Sequence, residues 1–108
     1  MTINKKYTES LKDFLEAAIH SLADEFADGN ANSDDDIRFY PRMIHIGAEV
    51  HDKIVEGQDV SVTVKEAQCL VDIIEYAFLD MIRNDRDIDN LPWAYNILHV
   101  WNQCRKVK

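Results

Sequence analysis

Residues 63–83 read TVKEAQCLVDIIEYAFLDMIR, and this stretch decides the fold. Its apolar residues recur every three or four positions, as they do along one side of an α-helix. They are Ala67, Leu70, Val71, Ile74, Ala77, Phe78 and Met81. Further apolar residues beside this stripe leave only a narrow polar ridge, so we expect a central helix. At its start, Thr63 and Glu66 match the S/T-x-x-E capping box, which predicts where the helix begins.

Two helices are expected before this central one. Residues 4–27 carry apolar side chains at helical spacing, and Gly29 is expected to end this first helix in the left-handed conformation. Residues 30–36 are a loop by composition. A short turn at residues 37–40 then leads to Pro41, which suits the first turn of a second helix that ends at Gly57.

The segments around the central helix complete the predicted fold. Residues 58–62, QDVSV, alternate like a short strand, but we expect no sheet because nothing else in the chain could pair with it. Residues 84–90 predict a polar turn with Asn90 as the cap of a last helix, in whose first turn Pro92 is tolerated. Four helices with short links predict an all-α fold, an antiparallel four-helix bundle, in one domain over residues 1–108.

The distribution of charge is the most informative bulk property of the chain. All 20 acidic residues fall between Glu9 and Asp89, where only seven of the 12 basic residues lie. Such a surface repels nucleic acid and anionic lipid and attracts a basic partner through long-range steering. Ordinary solubility also accounts for an acidic surface. The charge therefore predicts a basic protein partner, with no nucleic acid and no membrane.

The chain carries no sign of export. No apolar run approaches the length of a membrane span, and the first ten residues lack the apolar core of a signal peptide. We therefore expect a cytoplasmic protein. Cys69 and Cys104 lie in separate predicted helices without a CxxC pattern, so we expect two buried, reduced thiols.

Carboxylate pairs one helical turn apart favour an alternative, a Mg²⁺-dependent enzyme. Helical nucleotide pyrophosphohydrolases of the MazG type hold Mg²⁺ with an ExxE pair followed by an ExxD pair. Glu49 and Asp52 resemble the ExxD half, whereas Asp72 and Glu75 form a pair in the reverse order. In a chain with 20 acidic residues, such pairs also arise as solvated helix faces.

Other patterns of catalysis or metal binding are missing from the sequence. There is no nucleophile in a sharp-turn motif and no Gly-rich phosphate loop. His20, His45, His51 and His99 lie on three predicted helices without an ExxH or HExxH neighbour, so we expect partly buried structural histidines. We accordingly expect no metal and no cofactor.

Residues 36–41, Asp-Ile-Arg-Phe-Tyr-Pro, resemble the Asp-Leu-Ile-Tyr-Tyr-Pro stretch of the immunity proteins that neutralise nuclease colicins. Those are small, acidic, four-helix proteins of the bacterial cytoplasm, in which the aromatic pair and the preceding acid contact the basic toxin. The resemblance covers six residues and implies that Asp36, Phe39 and Tyr40 contact a partner. Phe39 and Tyr40 have an alternative role, which is to fill one end of the bundle between the first two helices.

The residues that precede this stretch extend the predicted interface. Its acidic members are Asp24, Glu25, Asp28, Asp34, Asp35 and Asp36. Trp93 is out of phase with the apolar stripe of its helix, so it either joins an interface or covers an end of the bundle.

The sequence thus predicts a non-catalytic inhibitor of the immunity or antitoxin type that neutralises a basic, nuclease-like toxin domain. Two alternatives stay open, the MazG-like pyrophosphohydrolase and an acidic mimic of nucleic acid.

Overall fold

A computed structural model describes residues 1–29, 34–83 and 92–107, except for the side chains of residues 34–37, 79–83 and 92. The elements in chain order are β1 (Thr2–Ile3), α1 (Lys5–Ala27), α2 (Asp34–Lys53), β2 (Val60–Ser61), α3 (Val64–Arg83) and α4 (Pro92–Cys104). The all-α prediction is confirmed, with a short strand pair in addition. The predicted turn at residues 84–90, including the cap Asn90, lies outside the described residues.

Helix α1 begins and ends where the sequence predicts. The Asn4 side chain caps its start by accepting a hydrogen bond of 3.0 Å from the Lys6 N–H. At the other end Gly29 has φ +78°, and its N–H donates to the Phe26 carbonyl at 3.2 Å. Glycine adopts this left-handed conformation without the clash that a Cβ would bring.

Helix α2 corrects the predicted start. It begins at Asp34, seven residues before Pro41, so residues 34–36 form its first turn instead of a loop. Pro41 lies inside the helix and is exposed. A proline inside a helix removes one hydrogen bond, but Phe39 and Tyr40 just before it pack against rings of α1 and α3. Those tertiary contacts offset the local penalty. The helix ends at Lys53, before Gly57.

A two-stranded antiparallel sheet shows that the exclusion of strand pairing was wrong. Ile3 of β1 lies opposite Val60 of β2, and both side chains are buried. The pairing is extended by Met1, whose carbonyl accepts from the Val62 N–H at 2.9 Å. The partner strand has only two residues, too few for its alternation to be recognised in the sequence.

The start of α3 confirms the capping box. The Glu66 N–H donates to the Thr63 hydroxyl at 3.1 Å, and the Thr63 N–H donates to the Glu66 carboxylate at 2.9 Å. Lys53 donates to the same carboxylate oxygen at 2.7 Å. Burial raises the pKa of Glu66, but the hydrogen bonds from Lys53 and Thr63 outweigh it, so the pKa lies below its usual value.

The four helices share one hydrophobic core. Helices α1 and α3 each pack against both α2 and α4. Gly47 allows close packing in α2, since a Cβ there would lie 3.1 Å from Ile73 of α3 and 3.4 Å from Ile19 of α1. The buried thiols are confirmed: Cys69 and Cys104 are free and at most 1% exposed. Burial raises the pKa of Cys69 to about 12 and that of Cys104 to about 11.

Candidate functional site

Four aromatic rings meet where α1 ends. Phe26 of α1 lies 6.2 Å from the Tyr40 ring of α2, which is 5.6 Å from Phe39 and 6.2 Å from Tyr76 of α3. Phe39 also lies 6.2 Å from Tyr76. We call Phe26, Phe39, Tyr40 and Tyr76 the aromatic cluster. It joins three helices, and it brings the end of α1 and the start of α2 to the same end of the domain.

Glu25 accepts hydrogen bonds from two residues of this cluster. The Tyr40 hydroxyl donates to its Oε2 atom at 3.0 Å, and the Tyr76 hydroxyl donates to the same atom. Burial raises the pKa of Tyr76, and the hydrogen bond to the Glu25 carboxylate raises it further, because a phenolate there would face a negative charge. One carboxylate oxygen of α1 therefore holds one tyrosine of α2 and one of α3.

The predicted interface residues divide into exposed and packed groups. Asp24 and Asp28 are exposed. Tyr40 is only 8% exposed, and Phe39 and Glu25 are half-buried. Phe39 and Tyr40 thus occupy the space between helices, as in the second of their two predicted roles.

The structure gives a backbone position to the remaining acids of the predicted interface. Asp34, Asp35 and Asp36 form the first turn of α2, and their side chains lie outside the described residues. The last turn of α1, the C-cap Asp28 that follows it and the first turn of α2 therefore hold the six predicted interface acids at one end of the molecule. We call the two turns together with Asp28 the acidic end.

Phe26 is more exposed than its helical spacing predicts. Its spacing places it on the buried stripe of α1, yet 39% of its surface is exposed. It lies in the last turn of the helix, beyond Leu22, which is fully buried. Helical phase does not show where a core ends along the helix axis. The one signal of exposure in the sequence is the position of Phe26 close to Gly29, where the helix ends.

Trp93 lies apart from the acidic end. Its ring centroid is 6.3 Å from that of Phe14 and 5.9 Å from that of Phe78, and it is half-buried. Phe14 precedes Phe26 by 12 residues on α1, or about 18 Å along the helix axis. The structure does not bring Trp93 together with the other predicted interface residues.

The carboxylates of the hydrolase alternative on α2 have histidine neighbours. Glu49 lies 3.1 Å from His45, and Asp52 lies 3.1 Å from His51. His51 also approaches Glu16 of α1 at 3.8 Å. Across residues 1–29, 34–83 and 92–107, no three His, Cys, Asp or Glu side chains are placed to hold a metal ion together.

The pair on α3 has a different environment. Glu75 accepts a hydrogen bond of 3.2 Å from the indole N–H of Trp101, which is half-buried. Burial raises the pKa of Asp72, and the neighbouring charge of Glu75 raises it further. Within the described part of the chain, no hydrogen bond or ion pair joins this pair to the carboxylates of α2.

The histidines correct another expectation. Only His51 is partly buried, while His20, His45 and His99 are exposed. His99 stacks on Tyr7 of α1, with ring centroids 4.3 Å apart. These positions do not converge on a common site.

Comparison with protein-family models, with curated proteins and with solved structures found no match to this chain. None of the helices, over the residues described, has both the length and the apolar character needed to cross a bilayer.

Proposed function

We propose that this protein is a non-catalytic, acidic protein-binding module that inhibits a basic, nuclease-like toxin in the manner of an immunity protein. The observation that best supports this function is the exposed ring of Phe26, which stands at the acidic end and packs on Tyr40 at 6.2 Å. The proposal places the protein in the bacterial cytoplasm.

An exposed aromatic side chain that is held in place by neighbouring rings has the properties of a binding hot spot. Such residues lose little conformational entropy on binding, and they bury a large area against the partner. Phe26 packs on the ring of Tyr40, whose hydroxyl is bound to Glu25, so Phe26 needs little ordering when a partner binds. The aromatic anchor of the proposal is therefore Phe26, with Phe39 and Tyr40 as its support.

The acids around this anchor supply the electrostatic part of the proposal. Asp24 and Asp28 are exposed, and their carboxylates make no hydrogen bond or ion pair with any described residue. Free carboxylates at one end of a protein with a net charge of −8 attract Lys and Arg side chains and speed encounter with a basic protein. Glu25 is already engaged by two tyrosines, so its role is to position the cluster.

The fold suits a rigid binding module. We propose that the four helices form an antiparallel bundle in a single domain over residues 1–108. The packing of α1 and α3 against both α2 and α4 supports that arrangement. A rigid scaffold keeps Phe26 and the two acidic helix turns in a fixed relation, which lowers the entropy cost of binding.

The first experiment identifies the partner. The tagged protein is used to capture proteins from a bacterial lysate at low and high salt, and the retained proteins are identified by mass spectrometry. We expect one basic protein, retained in stoichiometric amount and more strongly at low salt. The absence of any specifically retained basic protein would refute the proposed function.

The second experiment measures binding kinetics with that partner. Asp24→Asn/Asp28→Asn should slow association by up to about tenfold at low salt and flatten its salt dependence, because steering acts on encounter. Phe26→Ala should instead speed dissociation by about tenfold, as loss of an anchor does. Glu49→Gln/Glu56→Gln removes the same charge from exposed positions elsewhere and is the matched control. Equal association rates for the two double variants would remove the acidic end from the proposal.

A further inference from the structure

A cavity of about 590 Å³ opens between α1 and α4. Its aromatic wall is formed by Phe14 and Trp93, whose ring centroids lie 6.3 Å apart. Its polar wall includes Ser10 and Asn96, and the Asn96 amide donates to the Ser10 hydroxyl at 3.0 Å. That hydrogen bond joins the two helices, so packed side chains of α1 and α4 form the cavity, and Phe78 of α3 holds Trp93 by a ring contact.

The charged residues in the described lining of this cavity are both acidic. Glu9 and Asp13 line it from successive turns of α1, both are exposed, and none of the described lining residues is basic. Neither carboxylate has a hydrogen-bond or ion-pair partner among the described residues. By contrast, Glu66 is paired with Lys53 at 2.7 Å, and Glu49 lies 3.1 Å from His45. Two unpaired carboxylates therefore stand beside an aromatic wall.

We propose that this cavity receives an arginine side chain of the basic partner. The inference rests on the proposed function and gives it a second contact point, distant from Phe26. A guanidinium group matches both features of the cavity, because its planar face stacks on aromatic rings and its N–H groups donate to carboxylates in a fixed fork. This assignment gives Trp93 a role in binding that does not depend on the acidic end.

The chemistry of the walls selects arginine over other occupants. An apolar side chain would leave both carboxylates without a hydrogen-bond or ion-pair partner. An anion would be repelled by both carboxylates. A lysine ammonium satisfies the carboxylates as a compact charge but lacks the planar face. Arginine is the side chain that uses the aromatic wall and both acids together.

The test uses N-acetyl-arginine amide, a capped single residue, as the probe in an NMR titration of the ¹⁵N-labelled full chain. The matched control is N-acetyl-citrulline amide, which has the same shape without the charge. The chain has two tryptophans, so the indole N–H signals report separately on Trp93 in the cavity and on Trp101 outside it. We expect saturable shifts at Trp93, and at backbone amides of residues 9–17 and 93–96, with Trp101 unchanged.

Two charge variants decide whether the carboxylates of the cavity carry the binding. Glu9→Gln/Asp13→Asn should weaken probe binding about fivefold, the effect of losing two partly solvated ion pairs. Asp24→Asn/Asp28→Asn removes the same charge from the acidic end and should change probe binding less than twofold. Equal losses in both variants, or citrulline shifts as large as those of arginine, would overturn the proposal.

The titration contains no protein partner, so its result does not depend on the capture experiment. If the arginine probe does not bind the cavity but the capture experiment retains a basic protein, then Phe26 and the acidic end remain as the proposed interface. A failed capture with intact arginine binding would refute the toxin inhibitor, and it would also remove the partner's arginine as the occupant of the cavity.

Discussion

Replacement of Glu25 tests whether this residue holds the aromatic cluster together. Glu25→Ala removes the single oxygen that accepts hydrogen bonds from Tyr40 and Tyr76. Hydrogen bonds to a charged acceptor contribute about 1.5–3 kcal/mol each when buried. Because Glu25 and Tyr76 are half-buried, water replaces part of each bond, and we take about 1–1.5 kcal/mol for each of the two. We therefore expect a loss of about 2–3 kcal/mol in the free energy of unfolding.

Glu25→Gln distinguishes the contribution of the acceptor oxygen from the contribution of the negative charge. Both tyrosines donate to the same atom, so an amide oxygen placed there keeps both hydrogen bonds and loses only their charge-assisted part. We expect a cost of about 1 kcal/mol, clearly smaller than that of Glu25→Ala. The order of the two variants is the sharper prediction, since it depends on geometry more than on absolute energies.

The assay is equilibrium urea unfolding at pH 7, followed by far-UV circular dichroism. Glu9→Ala is the matched control, because Glu9 is an exposed glutamate of the same helix without a partner among the described residues. It should change the free energy of unfolding by less than about 0.5 kcal/mol. A Glu25→Ala cost no larger than that of the control, or equal costs for Gln and Ala at Glu25, would refute the structural role of this carboxylate.

Two further predictions concern the capping box and the thiols. Thr63→Ala should cost about 1 kcal/mol in urea unfolding, because the Glu66 N–H loses its acceptor, while Thr63→Ser should stay near wild type; equal costs would contradict the role of the hydroxyl. From pH 9 upward the unfolded thiols lose protons that Cys69 and Cys104 retain, since their folded pKa values are raised to about 12 and about 11. The free energy of unfolding should therefore fall by up to about 1.4 kcal/mol per pH unit for each thiol. In the double variant Cys69→Ala/Cys104→Ala this free energy should fall less steeply with pH. Identical pH slopes in the variant and the wild type would count against the raised pKa values.

The place of much of the candidate site could be predicted from the sequence, but the contacts between its side chains could not. The run of acids near Asp24 and the aromatic pair after it were visible as patterns, and they do lie at one end of the domain. The sequence did not reveal that Glu25 accepts hydrogen bonds from two tyrosines, because Tyr76 is 51 residues away along the chain. It also did not show that Phe26 is the exposed ring and Tyr40 the buried one, since helical phase does not show where a core ends and Tyr40 was expected in a turn before the helix.

The sequence by itself determined the elements whose signals are local. Apolar spacing of three and four residues placed α1 and α3, and Thr63 with Glu66 marked the start of α3, because these interactions join residues within one helical turn. The tertiary structure alone decided the pairing of β1 with β2, the passage of α2 through Pro41, and the meeting of Phe26, Tyr40 and Tyr76. Each of these depends on contacts between segments far apart in the chain, which overrode what the local residues favoured.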